Sequence, residues 1–148
     1  MVSLDRLLNV GLIIVFFIGS AFLSFLYWRD NYSQPRRYIS SVVLNSPAVP
    51  GDDLIIQVVR DVHRICFGRT SRFLLTLEPK TGIETQVYVD DVPTIAAPIG
   101  LGLPIKIRMP TPKDIKCGSY VYRAVMRADC DGHIFVQEIP AAPFQVCK

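Results

Sequence analysis

The first feature of the chain is a continuous apolar run over residues 7–28, which lies between Arg6 and Arg29. Its clearly polar members are three: Asn9, Ser20 and Ser24. As an α-helix this run would be about 33 Å long, and the hydrocarbon core of a bilayer is about 30 Å thick. The pattern therefore predicts a single transmembrane helix over residues 7–28, preceded by a short N-terminal tail over residues 1–6.

A cleaved signal peptide is the alternative interpretation of the same run. Gly19 and Ala21 are small residues of the kind found at processing sites. The apolar run nevertheless continues through Leu26, which makes it longer than the apolar region of about 7–15 residues in a typical signal peptide. We therefore expect an anchor that stays uncleaved.

Two aromatic residues end the apolar run, and basic residues follow it. Aromatic rings with a polar edge favour the headgroup layer of a membrane, and basic side chains bind anionic headgroups. We therefore predict a lipid bilayer as one partner, with five membrane-interface residues: Tyr27, Trp28, Arg29, Arg36 and Arg37. Residues 29–38 are polar, contain a proline and lack apolar periodicity, so they are predicted to form a linker.

After residue 38 the apolar positions alternate with polar ones, which is typical of β-strands. The predicted strand segments are 39–45, 54–66, 71–79, 83–89, 105–109, 118–130, 133–139 and 144–147, the last two being one strand interrupted by Pro140 and Pro143. Prolines in this last strand fit a position at the edge of a sheet. About seven short strands with regular spacing predict an all-β domain over residues 39–148, an antiparallel two-sheet β-sandwich.

Two strand openings resemble those of a known class of domain. PGDDLII at residues 50–56 and GSYVYR at residues 118–123 resemble the immunoglobulin-like and fibronectin-III-like modules over about residues 39–147. The resemblance implies an Ig-like β-sandwich. Membrane-anchored modules of this kind resemble proteins of bacterial or phage origin, which implies a role in an envelope or a virion.

Residue parity sorts the four cysteines of this sandwich into pairs, because alternate side chains of a strand face opposite sides. Cys66 and Cys130 share the apolar parity of the second and sixth strands, which in an Ig-like sandwich end at the same pole in opposite sheets. Cys117 begins the sixth strand and Cys147 ends the seventh at the other pole. We predict disulfides Cys66–Cys130 and Cys117–Cys147, one of three possible connectivities.

The orientation of the domain is predicted differently by two features. Three arginines follow the apolar run, which by the positive-inside rule favours a cytoplasmic domain. An even number of cysteines, all after the run, is instead typical of an oxidising compartment. We give the cysteines more weight and predict a single-pass protein whose C-terminal domain is periplasmic or otherwise extracytoplasmic.

A metal site is the alternative interpretation of one cysteine pair. The spacings His63-x-x-Cys66 and Cys130-x-x-His133 bring two cysteines and two histidines to one pole, a ligand set that zinc favours. His63 has the opposite parity to Cys66, so the two side chains would face different sides of their strand. We therefore predict no metal and no cofactor, and keep this four-residue site as the alternative.

The remaining chemistry of the sequence is sparse. A nucleophile elbow, a phosphate loop and an HExxH motif are lacking, and a net charge of +3 is too small to indicate nucleic-acid binding. Six arginines on the strands are predicted to lie on solvated sheet surfaces: Arg60, Arg64, Arg69, Arg72, Arg123 and Arg127. We expect a non-enzymatic interaction module that acts as an accessory or assembly subunit with other protein subunits; a metal-handling or redox accessory protein is the alternative.

Overall fold

A computed structural model describes residues 4–32, 34–78, 80–94 and 96–147. The chain divides between Gln34 and Pro35 into a helical unit and a β unit. The helical unit contains α1, Leu4–Tyr32, whose 29 residues are about 44 Å long. The segment Val10–Arg29 has a mean hydropathy of 2.4 and is not buried. By length and composition this helix can cross a membrane, and it contains the predicted span over residues 7–28.

The β unit is an antiparallel sandwich of two sheets, as the alternation predicted. Its strands are β1 (Arg36–Val43), β2 (Asp53–Val62), β3 (Phe67–Leu77), β4 (Glu84–Pro93), β5 (Gly100–Pro110), β6 (Gly118–Cys130) and β7 (His133–Val146). The three-stranded sheet has the order β1-β2-β5, and the four-stranded sheet has the order β4-β3-β6-β7. Both proline-containing positions of the last strand lie in β7, at the edge of the four-stranded sheet, which confirms that prediction.

The core lies between the two sheets and is formed by the even-numbered residues of β2 and β6. The most deeply buried of these apolar side chains are Leu54, Ile56, Val58, Tyr122 and Met126. They alternate with exposed or half-exposed neighbours along each strand, except that Val121 on β6 is also buried. The period-two pattern therefore identified the buried face of both strands correctly.

Several strand boundaries differ from the prediction. β3 begins at Phe67 rather than at residue 71, β4 ends at Pro93 rather than at residue 89, and β5 begins at Gly100 rather than at residue 105.

The start of β1 and the end of β2 differ as well. β1 begins at Arg36 rather than at residue 39, and α1 continues to Tyr32, so seven of the ten residues of the predicted linker over residues 29–38 belong to these two elements. β2 ends at Val62 rather than at Cys66. The chain turns after Val62 because the amides of His63 and Arg64 both donate to the carbonyl of Pro35, at 2.9 and 3.1 Å.

The third strand turns its apolar stripe outward. Thr70, Arg72 and Leu74 are buried between the sheets, whereas Phe73 and Leu75 lie on the outer face and are only partly covered. Polar residue types thus occupy core positions on β3. This arrangement brings charge into the interior and leaves apolar surface outside.

One side of the sandwich is closed and the other is open. On the closed side Ser41 donates to the carbonyl of Pro140. The amide of Ala48 donates to Gln145 O at 2.8 Å, and the amide of Cys147 donates to Ala48 O at 3.0 Å. These bonds tie β1 and the segment after it to β7. On the other side β4 and β5 are edge strands of different sheets, and a cavity lies between them.

Candidate functional site

Both predicted disulfides are present in the structure. Cys66 bonds to Cys130 with a Cα–Cα distance of 5.0 Å, and Cys117 bonds to Cys147 with a distance of 5.1 Å. Cys66 and Cys130 are buried with Met126 and Ala128 in a small apolar cluster. The parity argument therefore gave the correct pairing, although Cys66 lies in the connection between β2 and β3 rather than on a strand.

The alternative zinc site is not formed in this structure. The sulfur atoms of Cys66 and Cys130 are bonded to each other. Neither is therefore a thiolate that could bind zinc together with His63 or His133. Among the residues that the structure describes, no group of three or more His, Cys, Asp or Glu side chains is placed to hold a metal ion.

The predicted membrane-interface residues fall into two groups. Tyr27, Trp28 and Arg29 lie at the C-terminal end of α1 and are exposed. Arg37 is exposed on β1, but Arg36 is completely buried in the β unit. The prediction for Arg36 is wrong because β1 begins earlier than expected and turns this side chain into the core. Its Nη2 donates to the carbonyl of Cys66 at 3.3 Å.

Arg72 is one of two further arginines inside the sandwich, where the sequence predicted a solvated surface. Arg72 is 5% exposed and Arg60 is 2% exposed. Nη1 of Arg72 donates to the carbonyl of Arg108 at 2.8 Å, and its Nη2 forms an ion pair with Asp90, which is also largely buried. A buried charge with both a carboxylate and a carbonyl partner is well compensated.

The buried charge of Arg60 has fewer polar partners than that of Arg72. Its Nε and Nη2 atoms are buried and have no hydrogen-bond partner within the described part of the chain. Burial lowers the pKa of Arg60, and the neighbouring Arg36 lowers it further, whereas Tyr38 raises it. An arginine nevertheless keeps its proton in proteins. Arg60 is therefore a cation held in the interior with donors left over.

Arg60 and Arg72 both line the cavity between β4 and β5. Its volume is about 260 Å³. Tyr38 and the two arginines supply polar lining, and the apolar lining includes Val92, Ile105, Ile107 and Ile139. The arrangement combines unpaired donors with an apolar wall, which are the two features of a small-ligand site.

Tyr122 is completely buried near this cavity, and its hydroxyl has no hydrogen-bond partner among the described residues. Burial raises the pKa of Tyr122 to about 12, although Arg72 opposes the shift. Below about pH 10 the phenol is neutral in both the folded and the unfolded state. Between pH 10 and pH 12 the unfolded state ionises first, so stability falls as the pH rises through this window.

Substituting Tyr122→Phe should remove this alkaline loss. At pH 7 we expect unchanged stability or a gain of up to about 1 kcal/mol, because a buried hydroxyl without a partner is removed. Between pH 8 and pH 11 the wild type should lose about 1.4 kcal/mol more than the variant. Urea unfolding of both proteins, followed by circular dichroism at pH 8 and at pH 11, measures this difference in the free energy of unfolding. Equal pH slopes in the two proteins would contradict the assignment.

A second candidate surface lies on the outer face of the four-stranded sheet. Phe67, Ile134 and Val136 are all more than half exposed there, and Phe67 is 81% exposed. Cross-strand pairing places Arg127 beside Val136 and Asp129 between Phe67 and Ile134. We call Phe67, Arg127, Ile134 and Val136 the Phe67 patch. An exposed apolar cluster beside a cation on a rigid sheet is suited to protein binding.

The burial of the interior arginines was not predicted from the sequence, although the sequence carried a signal for one of them. Arg60 has the same even parity as Leu54, Ile56 and Val58, and so belongs to the buried face of β2. Residue type outweighed position in the prediction, because arginine is seldom buried. The Phe67 patch carried no comparable signal, since its members lie on three different strands.

Comparison with known proteins adds no functional information. No family model matches the chain, and no curated protein matches it. Function is accordingly argued from the residues and surfaces described above, because a sandwich fold alone does not specify an activity.

Proposed function

We propose that this protein is a non-enzymatic, membrane-anchored interaction module that serves as an accessory or assembly subunit of an envelope or virion complex. The helix α1 would fix the chain in the bilayer. The β unit would lie outside the cytoplasm, and two features support that location: all four cysteines are paired, and disulfides persist in oxidising compartments. The partner would dock on the Phe67 patch.

The observation that carries the proposal is the exposure of the Phe67 patch. Sheet surfaces that stay in water are usually polar, and exposed aromatic side chains on them are typical of binding sites. Arg127, the cross-strand neighbour of Val136, has no ion-pair partner within residues 4–32, 34–78, 80–94 and 96–147. Its neighbour Arg69 is paired with Asp91 at 2.7 Å.

These features define the chemistry of the partner. An apolar side chain of a different protein subunit would cover Phe67 and Val136, and a carboxylate beside it would pair with Arg127. Arginine and aromatic residues dominate the energetics of such interfaces. The other two arginines of this sheet face are already paired with carboxylates, Arg69 with Asp91 and Arg123 with Glu84 at 2.9 Å, so the unpaired Arg127 would determine where the partner's carboxylate binds.

Site-specific photo-crosslinking in native membranes tests the proposal. A photoreactive residue at position 67 or 136 should give a discrete adduct with one other protein, and the same residue at Val42, an exposed position on β1, should not. Adding Arg127→Glu should lower the adduct yield at position 136 about tenfold, because the new charge repels the partner's carboxylate. Mapping the adduct should locate it next to an Asp or Glu of the partner.

Three outcomes would overturn the proposal. Adducts with lipid alone would show that the patch contacts the membrane. Adducts with a second copy of this chain would show that the patch mediates self-association and does not bind a different subunit. An adduct whose yield does not change with Arg127→Glu would remove the role of the cation. Circular dichroism of the Arg127→Glu variant serves as the control for folding.

A further inference from the structure

We infer that the cavity between β4 and β5 is a binding site for a small carboxylate with a short apolar body, whose oxygens pair with Arg60. This site is separate from the Phe67 patch, which lies on the outer face of the four-stranded sheet, and the inference does not depend on the proposed function. It follows from three observations: the interior charge, the arrangement of the free donors and the composition of the cavity wall.

The interior of the sandwich carries an excess of positive charge. Arg36, Arg60 and Arg72 are all buried, and Asp90 is the one carboxylate that pairs with any of them among the described residues. Burying an ion without a counter-ion costs several kcal/mol, even after the protein relaxes. A bound anion at Arg60 would offset that cost. The cavity is the route by which an anion reaches this residue, because Arg60 forms part of its lining.

The free donors of Arg60 match a carboxylate. The two nitrogens without partners, Nε and Nη2, lie on the same edge of the guanidinium, and their N–H bonds point in the same direction. Two parallel N–H groups bind the two oxygens of a carboxylate in a bidentate manner. Nε of Arg72 also lacks a partner, which adds a further donor in the lining. The other buried arginine differs, because Nη2 of Arg36 already donates to Cys66 O.

The wall and the volume of the cavity define the rest of the ligand. Val92 on β4 and Ile105 and Ile107 on β5 supply apolar surface to the same cavity. The volume of about 260 Å³ is below the range of about 300–1,000 Å³ that is usual for sites of drug-sized ligands. A short aliphatic carboxylate fits this description. Free phosphate has no apolar part to use the wall, and so should bind more weakly.

Titration of the intact chain in non-ionic detergent tests the inference. Three probes are compared: butanoate, 1-butanol and inorganic phosphate. Methyl resonances of Ile105 and Ile107 should shift saturably with butanoate, whereas the methyl of the exposed Ile83 should not move. Butanol has the same hydrocarbon body without the charge, so its binding should be at least tenfold weaker.

Two variants locate the charge that binds. Arg60→Met keeps most of the volume and removes the guanidinium, and we expect at least a tenfold loss of butanoate affinity with an unchanged or raised Tm. Replacing a buried ion by an apolar side chain is often neutral or stabilising, so this combination separates a binding role from a structural one. Arg37→Met removes an exposed arginine of the neighbouring strand and should change neither property.

Several results would overturn the inference. Equal binding of butanol and butanoate would reduce the site to an apolar cavity, and the absence of saturation with butanoate would remove the site. Phosphate binding more tightly than butanoate would contradict the carboxylate assignment. Unchanged affinity in Arg60→Met would remove the role of Arg60, and a loss of folding in that variant would make the arginine structural.

Discussion

Replacing Cys66 and Cys130 together by alanine should lower the free energy of unfolding by about 4 kcal/mol. The two cysteines are 64 residues apart in the sequence, so the bond closes a long loop and removes many conformations from the unfolded chain. It also joins the connection after β2, near the three-stranded sheet, to the end of β6 in the four-stranded sheet. A typical domain has a total stability of about 5–15 kcal/mol, so this loss is a large share of it.

The second disulfide provides the control. Cys117 and Cys147 are 30 residues apart, and the chain-entropy model gives a slightly smaller loss, about 3.7 kcal/mol, for their removal. Urea unfolding should be followed by the β-sheet signal in circular dichroism, because the single tryptophan, Trp28, lies in α1 and outside the β unit. A loss below about 1 kcal/mol for the Cys66–Cys130 pair would contradict the expectation.

The Cys66–Cys130 disulfide also holds in place a hydrogen-bond acceptor of the buried Arg36. The carbonyl of Cys66 accepts a hydrogen bond from the buried Arg36, and Met126 lies in the same cluster as the two cysteines. Loss of the bond would free the connection that carries this carbonyl. The alanine pair should therefore remove a loop constraint and also weaken the support of Arg36, whereas removal of Cys117–Cys147 removes a loop constraint only.

The fold could be predicted from the sequence where apolar alternation was unbroken. The even-numbered residues of β2 and β6 are mostly apolar and buried, with Arg60 as the charged exception, and this pattern predicted the two strands, their buried faces and the Cys66–Cys130 pair. Strand ends were less predictable, because they depend on distant partners. The carbonyl of Pro35, for example, ends β2 by accepting the amides of His63 and Arg64, and no local pattern marks that contact.

The candidate cavity could not be predicted because it depends on how the two sheets meet. Residue type indicated that Arg60 and Arg72 lie in water, whereas the structure places both between the sheets. Arg72 is accommodated there by Asp90, which is a cross-strand neighbour on β4. The register between β3 and β4 could not be predicted from the residue pattern of either strand. Knowledge of that register would have been needed to recognise a buried ion pair.

The ion pair between Arg72 and Asp90 leads to the second large prediction. Asp90→Asn should lower the free energy of unfolding by about 3–5 kcal/mol, because it leaves a guanidinium buried without its counter-charge. Both side chains are largely buried, at 6% and 14% exposure, so water cannot replace the lost carboxylate. Urea unfolding of the intact chain, monitored through the β-sheet signal, measures the change.

The adjacent residue on the same strand is the matched control for this change. Asp91 pairs with Arg69 at 2.7 Å on the outer face, where both side chains are well exposed. Exposed ion pairs contribute about 0–1 kcal/mol, so Asp91→Asn should cost less than about 1 kcal/mol. A double substitution of Arg72→Met with Asp90→Leu removes both charges and should recover most of the stability lost in Asp90→Asn. Equal losses for Asp90→Asn and Asp91→Asn would show that the buried charge of Arg72 is neutralised by something other than Asp90.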